Sequence, residues 1–460
     1  MGSSSLQQQL LNARNYFESG ATRTYTFRKE QLKKLKAAII NNEQALHQAL
    51  HTDLKKGPEE SWVTETGFAI AEINAVLKNL HRWMQPEKVP TNLLNFPSSS
   101  YILREPMGIV LIVAPWNYPI QLLLAPLIGA MAAGNCAVLK PSEFASATAT
   151  AIGNLIHEIF PPEYILYVEG DGASVIPDMM NNFRFDHIFY TGSTAVGKII
   201  YQSAASKLVP VTLELGGKSP CVVEEDANIK VAARRIALTK FSNVGQMCVA
   251  PDYLLVHQSK KEELIQALRH TIPSFFSDNP ATSNEYGRII NEKQFNRIRS
   301  YLTQGKIVHG GRFNAESLYI EPTILEDVSP DSPIMKEEIF GPVLPVLTFK
   351  SMLQAKEIIL NNPNPLAFYV YTESKAREKA WLDAIPFGGG CVNNSSWQLT
   401  NHNLPFGGRG NSGIGDYHGK NSFEVFSHRK GILKTPTWFD PAIKYPPLKG
   451  KLKLFKWIVR

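Results

Sequence analysis

Glu214 and Cys248 stand 34 residues apart in a chain of 460 and offer one acid that can move protons and one thiol that can attack carbon. Glu214 ends the apolar run Val211-Thr212-Leu213 and is followed by Leu215-Gly216-Gly217-Lys218. A carboxylate at the end of an apolar strand must meet water or a partner, or carry a raised pKa. A salt-bridged strand-end acid and a general base both satisfy that condition. The two glycines favour the base, because they let backbone approach a ligand closely. Cys248 lies between Met247 and Val249, after the loop-like Asn243-Val244-Gly245-Gln246. A free cysteine is most often a small buried hydrophobe. A reactive one needs access and a base or a lowered pKa, and the loop favours access. Cys136 and Cys221 sit in strand-like apolar runs and read as core.

Three upstream segments give the pair meaning. Asn117, in Pro115-Trp116-Asn117-Tyr118-Pro119, is either a turn former or an amide donor to an oxyanion, a contribution of about 3 kcal/mol where it occurs. Thr191-Gly192-Ser193-Thr194-Ala195-Val196-Gly197 follows a strand and opens a helix, as a phosphate site requires, although its glycine spacing is not G-x-G-x-x-G. Lys140 and Glu143 follow another strand and could serve two hydroxyls of a ribose, with helix capping the alternative for Glu143. Together the segments describe a thiol enzyme that uses a dinucleotide.

These residues need elements to hold them. Residues 6–80 show apolar spacing of three and four, as in Leu32, Leu35 and Ile39, which predicts amphipathic helices. The Pro- and Ser-rich stretch 89–100 predicts a connection or an exposed hairpin. Met107–Ala114, Cys136–Leu139 and His187–Tyr190 have the profile of buried parallel strands, and each is followed by one of the polar segments above. Ile120–Ala133 is a buried helix, too short and too interrupted to span a bilayer. The fold class is therefore α/β, a doubly wound sheet with ligands beyond the carboxyl ends of its strands, and a second alternating block follows from Val211 to Asn394. We expect a cofactor domain over 1–80 and 101–210, a catalytic domain over 211–394, a small β arm over 81–100 and 395–440, and a tail over 441–460.

Composition is that of a globular α/β protein, 44% hydrophobic and 19% charged. Four scattered cysteines without metal-type pairing fit a reducing compartment, and no secretory leader is expected at the start, so a cytoplasmic location follows. The net charge of +7 is uneven: Lys449, Lys451, Lys453, Lys456 and Arg460 stand in a tail without acids. No nucleic-acid partner is expected of so weakly charged a body. On a helical wheel Leu448, Leu452, Phe455 and Val459 share one face of that tail. Such a segment suits an anionic membrane surface, and a disordered tail or an edge strand is the alternative.

Read together, the segments resemble the aldehyde dehydrogenase superfamily, of the class 3 or fatty-aldehyde type, from about residue 20 to residue 430. Further motifs carry the likeness: Phe185-Asp186-His187-Ile188-Phe189-Tyr190, Cys248-Val249-Ala250-Pro251-Asp252-Tyr253, Glu337-Glu338-Ile339-Phe340-Gly341-Pro342, Leu404-Pro405-Phe406-Gly407-Gly408 and Tyr417-His418-Gly419-Lys420. The resemblance implies a Rossmann-like cofactor domain, a catalytic domain and a β oligomerisation arm, assembled as a homodimer. It makes Cys248 the nucleophile, Glu214 the base for a hydrolytic water, and Asn117 with the Cys248 N–H the oxyanion hole. Lys140 and Glu143 would hold the adenosine ribose, and Ser193 would lie near the pyrophosphate. Trp116, Thr191, Gly192, Gly197, Leu215 and Gly216 would complete the cofactor site, with Glu338 and Phe340 at the nicotinamide. Tyr118 and Met247 would line the substrate pocket. Met247 departs from the Thr common before the nucleophile, and Arg409 from a small apolar residue.

The implied reaction is oxidation of an aldehyde to the acid through a Cys248 thioester, with NAD or NADP. Glu143 should repel a 2′-phosphate and favour NAD. The tail points to a medium- or long-chain or isoprenoid aldehyde taken at a membrane surface. A CoA-acylating dehydrogenase and a scaffold protein without turnover are the alternatives. Glu214 argues against the first, and the full set of Cys248, Glu214 and Asn117 against the second.

Overall fold

The computed structural model describes residues 3–459, with side chains described for 5–457. Two largely parallel sheets carry the fold. In the first, Ile109–Val113, Cys136–Lys140, Ile165–Tyr167, His187–Thr191 and Val211–Glu214 run parallel. Counted in chain order, the strand order is 3-2-1-4-5, the doubly wound arrangement predicted from the alternating runs. Its switch point lies between Ile109–Val113 and His187–Thr191, so the turns after these two strands flank one crevice. The helix Gln121–Ala133 is buried along its whole length and packs beneath Tyr25–Asn41 and Gly67–Trp83, which explains its unrelieved apolar sequence.

The second sheet has seven strands, with Pro220–Val223, Tyr253–His257, Val343–Phe349 and Ala367–Tyr371 at its centre. A third, antiparallel sheet joins Glu87–Val89, Ser99–Pro106 and Ser427–Lys434. Among the described residues no helix is long and apolar enough to cross a membrane.

Three segments fall on the other side of an expected boundary. Val211–Glu214, expected to open the second block, pairs with His187–Thr191 and belongs to the first sheet. The chain therefore changes sheet after Glu214, through Leu215-Gly216-Gly217, where Leu215 N–H still donates to the Ser412 carbonyl (3.0 Å). Ser99–Pro106 runs past residue 101 because both its edges are bonded, to Glu87–Val89 and to Ser427–Lys434. Gly413–Ile414, from the expected arm, returns to pair antiparallel with Val211–Glu214 and covers that sheet's edge. In the tail, Leu452–Val459 is a helix that packs against the short turn Leu93–Asn95 of the arm.

Candidate active site

A cavity of about 590 Å³ opens at the switch point of the first sheet and reaches to the second. Trp116 and Asn117 line it from the turn after Ile109–Val113, and Thr191, Gly192 and Ser193 from the turn after His187–Thr191. Glu214, Leu215 and Gly216 enter from the sheet crossover, Cys248 from its loop, and Glu338 and Phe340 from the opposite wall. Eleven residues expected from sequence thus meet around one hollow. On the far side of Cys248 lies a narrower tunnel of about 190 Å³, with Tyr118, Met247 and Cys248 in its wall. Its remaining lining is mainly apolar, with Val63, Phe68, Leu399 and Phe406 among it. Cys248 and Leu122 line both spaces. The thiol is the meeting point.

Cys248 is half-buried, and burial raises its thiol well above the usual range, with further upward pushes from Glu338 and Glu214. It is therefore a neutral thiol until a base or a cation acts on it. The loop before it is held in an unusual conformation: Asn243, Val244 and Gly245 are consecutively left-handed, at φ 48°, 57° and 72°. Its hydrogen bonds explain how that conformation persists. Asn243 N–H donates to Glu60 (2.8 Å), while the Gln246 side chain donates to the carbonyls of Asn243 (3.1 Å) and Arg288 (3.0 Å) and accepts from Ile290 N–H (3.0 Å). The Asn117 amide donates to the Gln246 carbonyl at 3.0 Å, which fixes the side chain beside the Cys248 loop.

Glu214 is 2% exposed and neither of its carboxylate oxygens has a hydrogen-bond partner. Burial, with Asp416 nearby, pushes its pKa well above the ordinary carboxyl range. The salt-bridged alternative does not hold, since no cation pairs with it. An unpartnered buried carboxyl facing a cavity is suited to taking a proton from something in that cavity. Glu338 is raised to about 8 by burial first and by Asp252 second. It accepts from Gly217 N–H, and it lies so close to Gly216 that a Cβ there would collide with its carboxylate. Phe340, held at φ 48°, sets its ring edge-on to Trp116 at 5.3 Å.

The polar end of the site is divided. Glu143 lines a separate hollow of about 190 Å³ with Pro141 and Ser142. Burial would raise its carboxyl, but N–H groups and Lys140 outweigh that and hold it below the usual range. One Glu143 oxygen accepts from Lys140 Nζ (3.1 Å), the other from the N–H of Gly172 (3.1 Å), the first residue of the helix Gly172–Asn182. The capping role weighed for Glu143 is thus real, although on a later helix than its own. Gly197 does not line any of these spaces: it is buried inside Thr194–Ala205, where a Cβ would stand 2.7 Å from Leu215. It allows the helix to pack closely and brings Ser193 to the cavity from behind.

A dinucleotide fits this arrangement. The turn Thr191–Ser193 precedes a helix N-terminus, the buried Thr191 hydroxyl has no partner, and Gly216, without a side chain, lets the Glu338 carboxylate close against the cavity wall. Sequence reading missed Leu122, Gln294, Arg297 and most of the tunnel wall. Arg297 donates to the carbonyls of Glu338 (3.1 Å) and Ile339 (2.8 Å) and so holds the wall opposite Cys248. No local pattern marks it; only the amphipathic helix Glu292–Ser300 could have been seen.

Comparison with known proteins gives the same reading. Residues 2–432 match the aldehyde dehydrogenase family. A 4,4′-diaponeurosporen-aldehyde dehydrogenase of Staphylococcus aureus is 46% identical over 98% of each chain. A dimeric NADP-preferring aldehyde dehydrogenase of Rattus norvegicus is 42% identical over 98% of this chain and 99% of its own. The solved structure described as a substrate-bound state of Staphylococcus aureus AldH superposes with a TM-score of 0.96 at 45% identity, covering 99% of both chains. The chain belongs to the aldehyde dehydrogenase family and is an oxidoreductase that converts an aldehyde to the carboxylic acid with NAD(P).

Proposed function

We propose that the substrate is a long apolar aldehyde, fatty or isoprenoid, that reaches Cys248 through the apolar tunnel while the cofactor occupies the larger cavity. The observation that carries this reading is the position of Cys248 in the wall of both spaces. The tunnel shares Val63, Thr64, Leu238 and Ser242 with a further groove of about 550 Å³ that runs on to Phe275 and Phe276, so an extended chain has somewhere to lie. The 46%-identical relative is named for a long isoprenoid aldehyde, which agrees with that shape.

In this reading Trp116, Thr191, Gly192, Ser193, Leu215, Gly216, Glu338 and Phe340 hold the nicotinamide and pyrophosphate, and Lys140 with Glu143 holds the adenosine ribose. Cys248, once deprotonated, bonds to the aldehyde carbon, and Asn117 with the Cys248 N–H takes the oxyanion. Held in the larger cavity by those residues, an oxidised nicotinamide would supply the hydride acceptor that turns the Cys248 adduct into a thioester. Glu214 then removes a proton from water, the water oxygen bonds to the acyl carbon, and Cys248 leaves as the acid forms. An unpartnered Glu214 favours hydrolysis over transfer to CoA, which needs no water-activating base. A panel of aldehydes from two to about sixteen carbons, with NAD and with NADP, tests the substrate class. We expect kcat/KM to rise with length; equal values across the panel would overturn it.

The same reading extends to the surface. A homodimer accounts for Ser427–Lys434, which forms an edge of its three-stranded sheet, and for the name of the dimeric relative. In the tail, Leu452 and Trp457 are 61% and 71% exposed next to Lys453 and Lys456, and exposed Leu93 and Phe96 of the arm lie nearby. This is the composition of a peripheral contact with anionic lipid, at about 1 kcal/mol per cation. Light scattering checks the dimer. Co-sedimentation with phosphatidylserine vesicles, with and without residues 448–460, checks the membrane contact; equal pelleting would remove it.

A further inference from the structure

Against the Asn117 peptide, and lining neither of the two cavities that meet at Cys248, lies a buried pair of charges that the reaction scheme does not use. Lys56 and Glu65 have fully buried side chains and are joined at 2.6 Å. Lys56 follows the helix Glu43–Leu54, and Glu65 belongs to the π-helical turn Trp62–Thr66, a local distortion of the kind found at functional sites. Each member of the pair grips the peptide around Asn117. Lys56 Nζ donates to the Asn117 carbonyl (3.1 Å) and sits 4.0 Å from the centre of the Tyr118 ring. The second Glu65 oxygen accepts from the N–H groups of Ile120 (3.0 Å) and Gln121 (2.9 Å), at the start of the helix Gln121–Ala133. The Asn117 carbonyl receives one more bond, from the Asn243 amide at 2.8 Å, which ties it to the nucleophile loop.

Stability is a poor account of this arrangement. A buried ion pair seldom outperforms well-packed apolar side chains of the same volume, because desolvation offsets the attraction. What the pair does provide is direction. Three charge-assisted hydrogen bonds, one from Lys56 and two to Glu65, hold residues 117–121, and the Asn117 side chain is fixed in turn by its bond to the Gln246 carbonyl. An oxyanion donor must stand in place before charge develops, and a shift of about 1 Å costs on the order of 10²-fold in rate.

We propose that Lys56 and Glu65 are positioning residues for the oxyanion hole, acting through the Asn117 peptide. The inference rests on the reading of Asn117 as oxyanion donor. Lys56→Met should lower kcat about 10- to 100-fold, part of the 10²–10³ that loss of such a donor costs, with KM for NAD unchanged. Hydrolysis of p-nitrophenyl acetate, which needs the thiol and the oxyanion donor but no nicotinamide, should fall in parallel. The double variant Lys56→Met/Glu65→Leu should recover the melting temperature of the wild type without recovering kcat. Recovery of both together would show a structural role only and overturn the proposal.

A double-mutant cycle with Asn117→Ala separates the two readings. Lys56→Met should add nothing in the Asn117→Ala background, and effects that multiply would overturn the positioning role. Turnover unchanged by Asn117→Ala itself would instead overturn the oxyanion reading beneath it. Should the double variant not fold, Glu65→Gln serves: it keeps an oxygen for both N–H groups and should lose less than about fivefold in kcat, the size of one modest hydrogen bond. Glu65→Ala should lose as much as Lys56→Met. Equal losses for Gln and Ala would overturn the proposal.

Discussion

On one side of Cys248 the wall is made of strand ends and turns; on the other it is made of side chains gathered from segments as distant as Val63 and His418. The larger cavity holds ionisable groups without partners or with raised pKa, Glu214 and Glu338 above all. The tunnel offers chiefly apolar surface. The difference teaches where each property of the enzyme resides. On the reading proposed above, reactivity is set by backbone that places a few groups in a buried hollow, whereas substrate choice is set by replaceable side chains along a passage. Change on the first side should alter how fast any aldehyde reacts, and change on the second which aldehyde reacts.

The sharpest break is at the shared residue. Cys248→Ala should abolish oxidation of every aldehyde while NAD binding, measured by calorimetry, survives; retained turnover would sink the nucleophile assignment. Next, Glu214→Gln should lower kcat by about 10²–10⁴, the usual worth of a general base. The first turnover should still release one equivalent of NADH per site, because acylation precedes the water step. On the tunnel side, Met247→Thr removes apolar surface beside the thiol. It should lower kcat/KM for a sixteen-carbon aldehyde by about tenfold, within the range expected for one or two methylenes, and leave a two-carbon aldehyde unaffected. A loss common to both lengths would erase the division between the two walls.

Two smaller effects sharpen the polar side. Glu143→Gln removes a charge from the proposed ribose site and should improve kcat/KM for NADP relative to NAD by roughly tenfold, or about 1.4 kcal/mol. Glu338 concerns stability and pH. Its carboxyl is raised in the folded protein to about 8, so the native state holds a proton that the unfolded chain has released. The stability this confers is fully present below the ordinary carboxyl range and is lost as pH rises through about 8. Glu338→Gln should therefore flatten the fall in Tm between pH 5 and pH 9 by about 1–2 °C, a shift appropriate to a large chain. A parallel fall in variant and wild type would count against a protonated Glu338.

What could be read from the sequence divides along the same line. Glu214, Thr191–Ser193 and Lys140 each directly end or follow a buried strand, so local period and turn chemistry were enough to place them at the carboxyl ends of the first sheet's strands. Cys248 and Asn117 were legible because their flanking residues form motifs. The tunnel was not, since Phe68, Leu399 and Phe406 look like any core residue until the fold brings them together. Lys55 and Lys56 show the limit plainly: neighbours of one type, the first exposed in a left-handed turn and the second buried against Glu65. Nothing in their sequence separates them. The sheet boundaries were misplaced for a related reason, because ladder bonds formed by Ser99–Pro106 and Gly413–Ile414 connect segments more than three hundred and almost two hundred residues apart, respectively.

The loop Asn243-Val244-Gly245 has a consequence for how this enzyme would evolve under selection. Val244 is β-branched and sits at φ 57°, a conformation that costs an ordinary residue roughly 1–2 kcal/mol. Gly or Asn adopts that backbone more easily, but Val244 is 1% exposed within the core of the second sheet, and giving up its side chain costs about as much as the strain relieved. Selection for heat resistance therefore gains little at this position, and selection for turnover holds it, because a freer loop lets the thiol wander from the point where the two hollows meet. Change here should be slow under either pressure.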